Sequence, residues 1–289
     1  MKKRIISILL ILAALAVLAA GCAGGKMEEP PVTLDNLPAY SGEAYVEVNG
    51  NEPYFTQAEI TDEAYEMYSD LDYLGRCGVT CASVGPELMP TEERGDIGSV
   101  KPTGWHTVKY DCVDGKYLYN RCHLIGYQLT GENANERNLI TGTRYLNIEG
   151  MLPFENMVAD YVEETGNHVM YRVTPLYEGD DLVARGVLME GYSVEDAGDG
   201  ILYCVFAYNV QPGVEIDYTT GDSWLAGEGT SSGSESNEAT YILNTSSKKF
   251  HDPGCSGAED IKESNREEFT GSREELIAQG YSPCGRCKP

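Results

Sequence analysis

The strongest constraint on the fold is a change of hydrophobic period part-way along the chain. Phe154, Met157, Val158, Tyr161 and Val162 recur at helical spacing, with Pro153 in a first turn and Gly166 at a stop. Three strand-like runs follow, at 168–177, 182–192 and 201–210. One amphipathic helix feeding several short strands predicts an α+β domain on a mostly antiparallel sheet. Twenty tyrosines against five phenylalanines fit strands with one wet face, since tyrosine joins an apolar ring to a polar tip.

Upstream, residues 105–110 alternate apolar and polar, Asp114-Gly115 is a hairpin turn signal, and 116–119 reads as the return strand. That strand runs into Asn120-Arg-Cys-His123. The expected core is therefore hairpin, loop, helix, then more sheet.

The ends divide the 289 residues further. Lys2, Lys3 and Arg4 precede an apolar run from Ile5 to Ala20, and small residues lead to Cys22. This is the pattern of an export signal and resembles that of lipoproteins, in which Cys22 carries the lipid. It implies a signal over 1–21, a Gly/Pro/Glu-rich tether over 22–39, and a protein held on the outer face of the cell membrane. The central domain spans 40–224, a Gly/Ser/Glu linker spans 225–239, and a C-terminal module fills 240–289. Of nine cysteines, five lie in the central domain, and Cys77–Cys81 or Cys112–Cys122 are open as pairs. An odd count leaves at least one of Cys77, Cys81, Cys112, Cys122 and Cys204 unpaired.

Two strands delivering a histidine, then a helix approached by an asparagine, resemble the ββα-metal nuclease superfamily. The run Tyr119-Asn-Arg-Cys-His-Leu-Ile-Gly-Tyr-Gln-Leu129 resembles the motif region of the DNA/RNA non-specific endonucleases, closest to their secreted Gram-positive branch. Asn138-Leu-Ile-Thr-Gly-Thr-Arg-Tyr-Leu-Asn147, Gly150-Met151 and Glu155 continue the pattern. The resemblance implies His123 as general base, a role an imidazole suits because it titrates near neutral pH. It implies Asn147 as an oxygen ligand to Mg²⁺ or Mn²⁺, and Glu155 as the holder of metal-bound water. Eight residues of α-helix offset these two by roughly 80°, so both can face one side. Arg121, on the same strand face as His123, is expected to grip phosphate bidentately. Asn138 is expected to position the site, and Arg144 and Arg94 are further phosphate candidates. Cys122 stands where the family has glycine and puts a thiol beside the base. Gln128, Glu132 and Asn135 read as framework, and His106 and His168 as structural or surface residues.

At the C-terminus, His251-Asp-Pro-Gly-Cys255 and Cys284-Gly-Arg-Cys287 give paired knuckles separated by 28 residues, a spacing that suits tetrahedral zinc. The run from Lys249 resembles the Ada-type zinc-binding domain. Its first ligand, a methyl-accepting cysteine, is His251 here, so the resemblance implies metal binding without methyl transfer. A disulfide is the alternative.

Net charge is −25, which argues against a polyanion as partner. The distribution weakens that argument. Residues 101–150 carry six basic and five acidic residues, whereas 151–238 carry two basic and 17 acidic. The sequence thus predicts a metal-dependent, sequence-non-specific nuclease acting on DNA, with RNA left open and no protein partner evident. The alternative is a non-catalytic surface lipoprotein that binds extracellular nucleic acid.

Overall fold

The structure is a computed structural model that describes residues 30–227, 239–271, 276–277 and 279–287. The export signal, Cys22 and the middle of the linker lie outside the described residues. Contacts divide the chain into two units, with the break after Ala226.

The first unit is built on a six-stranded sheet. Its strands are β1 (Tyr45–Glu47), β2 (Tyr65–Tyr68), β3 (Thr80–Val84), β6 (Val169–Leu176), β7 (Gly186–Ser193) and β8 (Leu202–Tyr208), in the order β1-β8-β7-β6-β3-β2. Every pairing in it is antiparallel. Outside it, β4 (Tyr119–His123) pairs antiparallel with β5 (Leu139–Thr143), and β9 (Val214–Ile216) with β10 (Ser223–Leu225). The short helix α1 (Tyr127–Thr130) follows β4, and the long helix α2 (Leu152–Thr165) follows β5.

Alternation along the central strands sorts the two faces. Val169, Tyr171 and Val173 of β6 join Phe154, Val158 and Val162 of α2 in the largest apolar cluster, together with Leu124, Ile125 and Leu129 from the segment after β4. Pro153 stands in the first turn of α2, and Gly166 ends it in the left-handed conformation at φ 72°, as the pattern predicts. The residues between, from β6, face the other way. There Arg172 holds Glu190 through two bonds of 2.6 and 2.8 Å, with both side chains buried. Glu190 also accepts from the Tyr54 amide at 2.7 Å, which ties residues 49–60 to this face.

Three expectations are corrected. Residues 30–39, expected as tether, pack on the domain: Val32 is buried against Leu188 and Cys204 with Leu37 beside it, and the Tyr208 hydroxyl donates to the Pro38 carbonyl at 2.7 Å. Scattered apolar residues in a Pro/Glu-rich stretch were enough to dock it from residue 30 onward. The 105–119 hairpin shrinks to a single antiparallel bridge, Lys109 with Tyr117, and the true partner of β4 is β5. His123 therefore ends the first strand of the ββα unit, not the second. No described cysteine is bridged. Cys77 donates to the Glu136 and Leu139 carbonyls while Cys81 meets the Tyr65 hydroxyl, and Cys122 is buried while Cys112 is exposed.

The second unit carries β11 (Ala239–Asn244), β12 (Lys249–His251), β13 (Arg266–Gly271) and β14 (Ser282–Pro283), in the order β13-β11-β12-β14, with the short helix α3 (Ser256–Glu259). Two small apolar clusters serve it. One joins Tyr241, Leu243, Phe250, Leu276 and Tyr281; the other joins Ile242, Ala258 and Ile261 with Cys255 and Cys284.

Candidate functional site

β4 and β5 place the site. Cys122 and His123 are neighbours on β4 and so point to opposite faces. Cys122 is fully buried, its Sγ occupying space that any side chain at Gly142 would enter at 2.3 Å. Burial pushes its thiol above the ordinary range. The thiol expected beside the base is a core group on the opposite face of the strand, and its burial makes it unreactive.

His123 is 6% exposed and held at both ring nitrogens. Nε2 lies 2.8 Å from the Asn133 carbonyl, which can only accept, so Nε2 carries the proton. Nδ1 is left as acceptor and receives the Arg94 guanidinium at 3.2 Å. Burial holds this imidazole below its ordinary 6.5; the Asn133 hydrogen bond opposes that and Arg94 reinforces it. The result is a neutral ring of fixed tautomer with one basic nitrogen aimed at a cationic side chain.

Asn138 fixes the turn that follows. It is fully buried, accepting from the Ile125 amide at 2.8 Å and donating to the Ile125 carbonyl at 2.9 Å. It touches backbone alone and is a positioning residue. At the end of that turn the chain needs Gly126, because a Cβ there would stand 2.9 Å from the Glu155 carboxylate. The loop after His123 is thereby drawn against Glu155.

Asn147 lies within a helix rather than before it. Residues Leu146–Met151 form a π-turn leading into α2, and the Leu152 amide bonds the Asn147 carbonyl five residues back. Such a turn winds on the order of 80° per residue instead of 100°, which takes out most of the offset between Asn147 and Glu155. Among the described residues neither side chain has a hydrogen-bond partner, although both are half-buried. Burial pushes the Glu155 carboxyl up to about 7, with Arg94 pulling it partly back. Two oxygen donors without protein partners, one of them a carboxylate short of compensating charge, fit a hard divalent cation.

The cleft beside them has a volume of about 470 Å³ and is lined by Arg94, Trp105, Tyr117, Arg121, Arg144 and Asn147, among others. Asn120 also lines it, with a buried Nδ2 that has no acceptor. Arg144 is paired with Asp114 at 2.9 Å. Arg121 is held along one edge. Its Nε donates to the Val100 carbonyl, one Nη to the Gly98 carbonyl at 3.0 Å, and its guanidinium lies 4.0 Å from the centre of the Trp105 ring. Of its five N–H donors, three are left over for a phosphate.

Sequence reasoning missed Asn133, whose backbone carbonyl sets the tautomer, and Trp105, which backs Arg121. It left Arg94 undecided; the structure puts it on Nδ1. His106 is exposed near Asp222, and His168 sits between Glu195 at 2.7 Å and Glu87 at 3.4 Å. Gln128 bonds Asn156, and Asn135 caps the turn before β5.

In the second unit, one ligand atom from each of His251, Cys255, Cys284 and Cys287 lies within 4.8 Å of the others. His251 Nδ1 is buried without a partner. The Arg286 amide donates to Cys284 Sγ at 3.4 Å, which helps hold that thiol below its ordinary range. A Cβ at Gly257 would come within 3.3 Å of the His251 ring.

Comparison with known proteins places these features. Residues 56–195 match the DNA/RNA non-specific endonuclease family, a span that holds His123, Asn138, Asn147 and Glu155. A deoxyribonuclease of Streptococcus dysgalactiae subsp. equisimilis is 31% identical over 111 residues, 36% of this chain and 32% of its own. The chain thus spans about a third of the length of that curated relative. NucA from Streptococcus agalactiae, solved with a magnesium ion bound, is similar at a TM-score of 0.58 and 26% identity, covering 67% of this chain and 92% of its own. The Sda1 nuclease, solved with zinc, shares the fold at a TM-score of 0.54 and 24% identity, covering 63% and 96%.

Proposed function

We propose that the chain is a metal-dependent endonuclease that hydrolyses phosphodiester bonds without regard to sequence. The observation that carries this reading is the state of His123: a buried neutral imidazole, its tautomer set by Asn133, with Nδ1 free of any proton and within reach of the Arg94 guanidinium.

In this reading Nδ1 takes the proton from the attacking water. Arg94, which donates to Nδ1 in the structure, is exposed and long enough to swing onto a phosphate oxygen, uncovering the base as substrate arrives. Asn147 and Glu155 would hold Mg²⁺ or Mn²⁺, directly or through water, and the bound ion supplies charge stabilisation at the phosphate. Asn138 keeps the β4–α1 turn in place. DNA is the proposed substrate and RNA a second one. The match to the endonuclease family and the magnesium-bound NucA support this reading. Plasmid DNA and RNA incubated with the purified ectodomain test it: cleavage with Mg²⁺, none with excess EDTA and recovery on adding Mg²⁺ are expected. Full activity in EDTA would refute the metal.

A zinc ion held by His251, Cys255, Cys284 and Cys287 is proposed for the second unit, on the strength of four converging ligand atoms and an unpartnered buried ring nitrogen. The sequence of the first residues supports export and lipidation at Cys22. Replacing Cys22 by Ser is expected to move the protein from the membrane fraction to the medium or to an unprocessed precursor. An unchanged membrane fraction would count against the lipid.

A further inference from the structure

Arg121 and its surroundings carry more than a phosphate contact. Its Nε and one Nη are committed to the Val100 and Gly98 carbonyls, and its guanidinium carbon stands over the Trp105 ring, 4.0 Å from the ring centre. What remains to a cleft ligand is the other Nη and the face away from Trp105, on a planar cation fixed by two carbonyls. Tyr117 lines the same cleft, is 47% exposed, and has Lys109 over its ring at 4.3 Å. Two flat groups, one over an indole and one under an ammonium, therefore line the cleft with Asn147 and Arg94.

Phosphate recognition does not call for such surfaces. It calls for donors that point end-on, and Arg94 and Asn120 already face the cleft. Flat guanidinium and phenol faces suit the π-face of a nucleobase, with stacking strength nearly independent of which base is present. In a duplex that face is taken by neighbouring base pairs, and exposing it requires unpairing. The chain also carries a net charge of −25, so long-range attraction to the backbone is weak and local contacts must supply the affinity.

From this arrangement we infer that the cleft is a stacking site for an unpaired base next to the scissile phosphate, formed by Arg121 and Tyr117, and that single-stranded nucleic acid is the preferred substrate. The inference rests on the nuclease reading for the position of the phosphate, but its test needs no cleavage.

Binding is measured by fluorescence anisotropy on the His123→Ala protein in Mg²⁺. The probes are a short labelled DNA strand, the same strand with abasic residues at its centre, and its duplex. The strand with bases should bind about tenfold more tightly than the abasic strand, and more tightly than the duplex. Tyr117→Ala should remove most of that difference and Tyr117→Phe should keep it. Arg121→Lys, which keeps charge but loses the plane, should also reduce it. Equal affinity for the two strands, or an equal loss on both in Tyr117→Ala, would overturn the stacking site. Failure of the nuclease reading shows separately, as wild-type protein that leaves plasmid uncut in Mg²⁺.

Discussion

The two units hold their reactive atoms in opposite ways. In the first, the large apolar cluster includes neither Asn147 nor Glu155, whose side chains have no hydrogen-bond partner among the described residues. In the second, Cys255 and Cys284 belong to one of the apolar clusters, so the ligands are part of the core. A domain with ample buried surface can afford a loosely held ion that exchanges and does chemistry. A piece of about fifty residues cannot bury enough to stand alone and needs a staple. On the proposed reading, the same word, metal site, covers a cofactor in one unit and a structural element in the other.

Chelation should separate them most sharply. Strong chelation of the purified ectodomain is expected to unfold residues 239–287, because structural zinc contributes roughly 10–16 kcal/mol to such folds. The central unit should keep its hydrogen-exchange protection while losing cleavage. About one zinc per chain should be found by elemental analysis. A Cys284–Cys287 or Cys255–Cys284 disulfide on non-reducing mass spectrometry, with no metal, would overturn the staple and leave the nuclease reading intact.

Next in size is His123→Ala, expected to lower plasmid cleavage by at least about two orders of magnitude in a protein that remains folded. Near wild-type cleavage would remove His123 from the chemistry.

Asn138→Ala sharpens the contrast from the other side, since it removes no reactive atom. It strands the buried Ile125 amide and carbonyl, at a cost of about 1–3 kcal/mol. A lower Tm together with slower cleavage is expected. An unchanged Tm would mean the turn has another support.

The smallest effect concerns His168, which belongs to neither the candidate cleft nor the Cys/His cluster. Burial disfavours its protonation, but Glu195 and Glu87 outweigh that and raise it above 6.5. Its contribution to stability is then fully present below pH 6.5 and is lost as pH rises through the raised value. The Tm gap between wild type and His168→Gln should narrow from acid to alkaline pH. A gap that widens instead would reverse the sign of the interaction.

Much of the fold was legible because period and punctuation agree. Pro153 and Gly166 bracket α2, and the runs after it became β6, β7 and β8. The sequence also pointed to His123, Asn138, Asn147 and Glu155, and the fold bonds Asn138 across the turn after His123 and seats Glu155 against Gly126 in that turn. What stayed hidden depends on main-chain atoms or on distant pairing. The Asn133 carbonyl that sets the tautomer would be offered by almost any residue there. The carbonyls of Gly98 and Val100 that occupy Arg121 are equally silent. The pairing of β4 with β5 crosses an intervening helix and loop, whereas Asp114-Gly115 advertised a nearer partner that forms only one bridge.

The π-turn at Leu146–Met151 has a consequence for counting along the chain. Eight residues that include one wide turn bring Asn147 and Glu155 to nearly the same phase as seven residues of plain α-helix would, since seven steps of about 100° fall short of two full circles by only about 20°. The extra residue is thus an insertion that the helix swallows without rotating either end. Two homologous chains could then carry the same pair of ligands at different separations, and an ungapped alignment would set one ligand of such a pair against the wrong neighbour. Removing a single residue from 148–150 would shorten the helix by about 1.5 Å and leave the two side chains facing the same way.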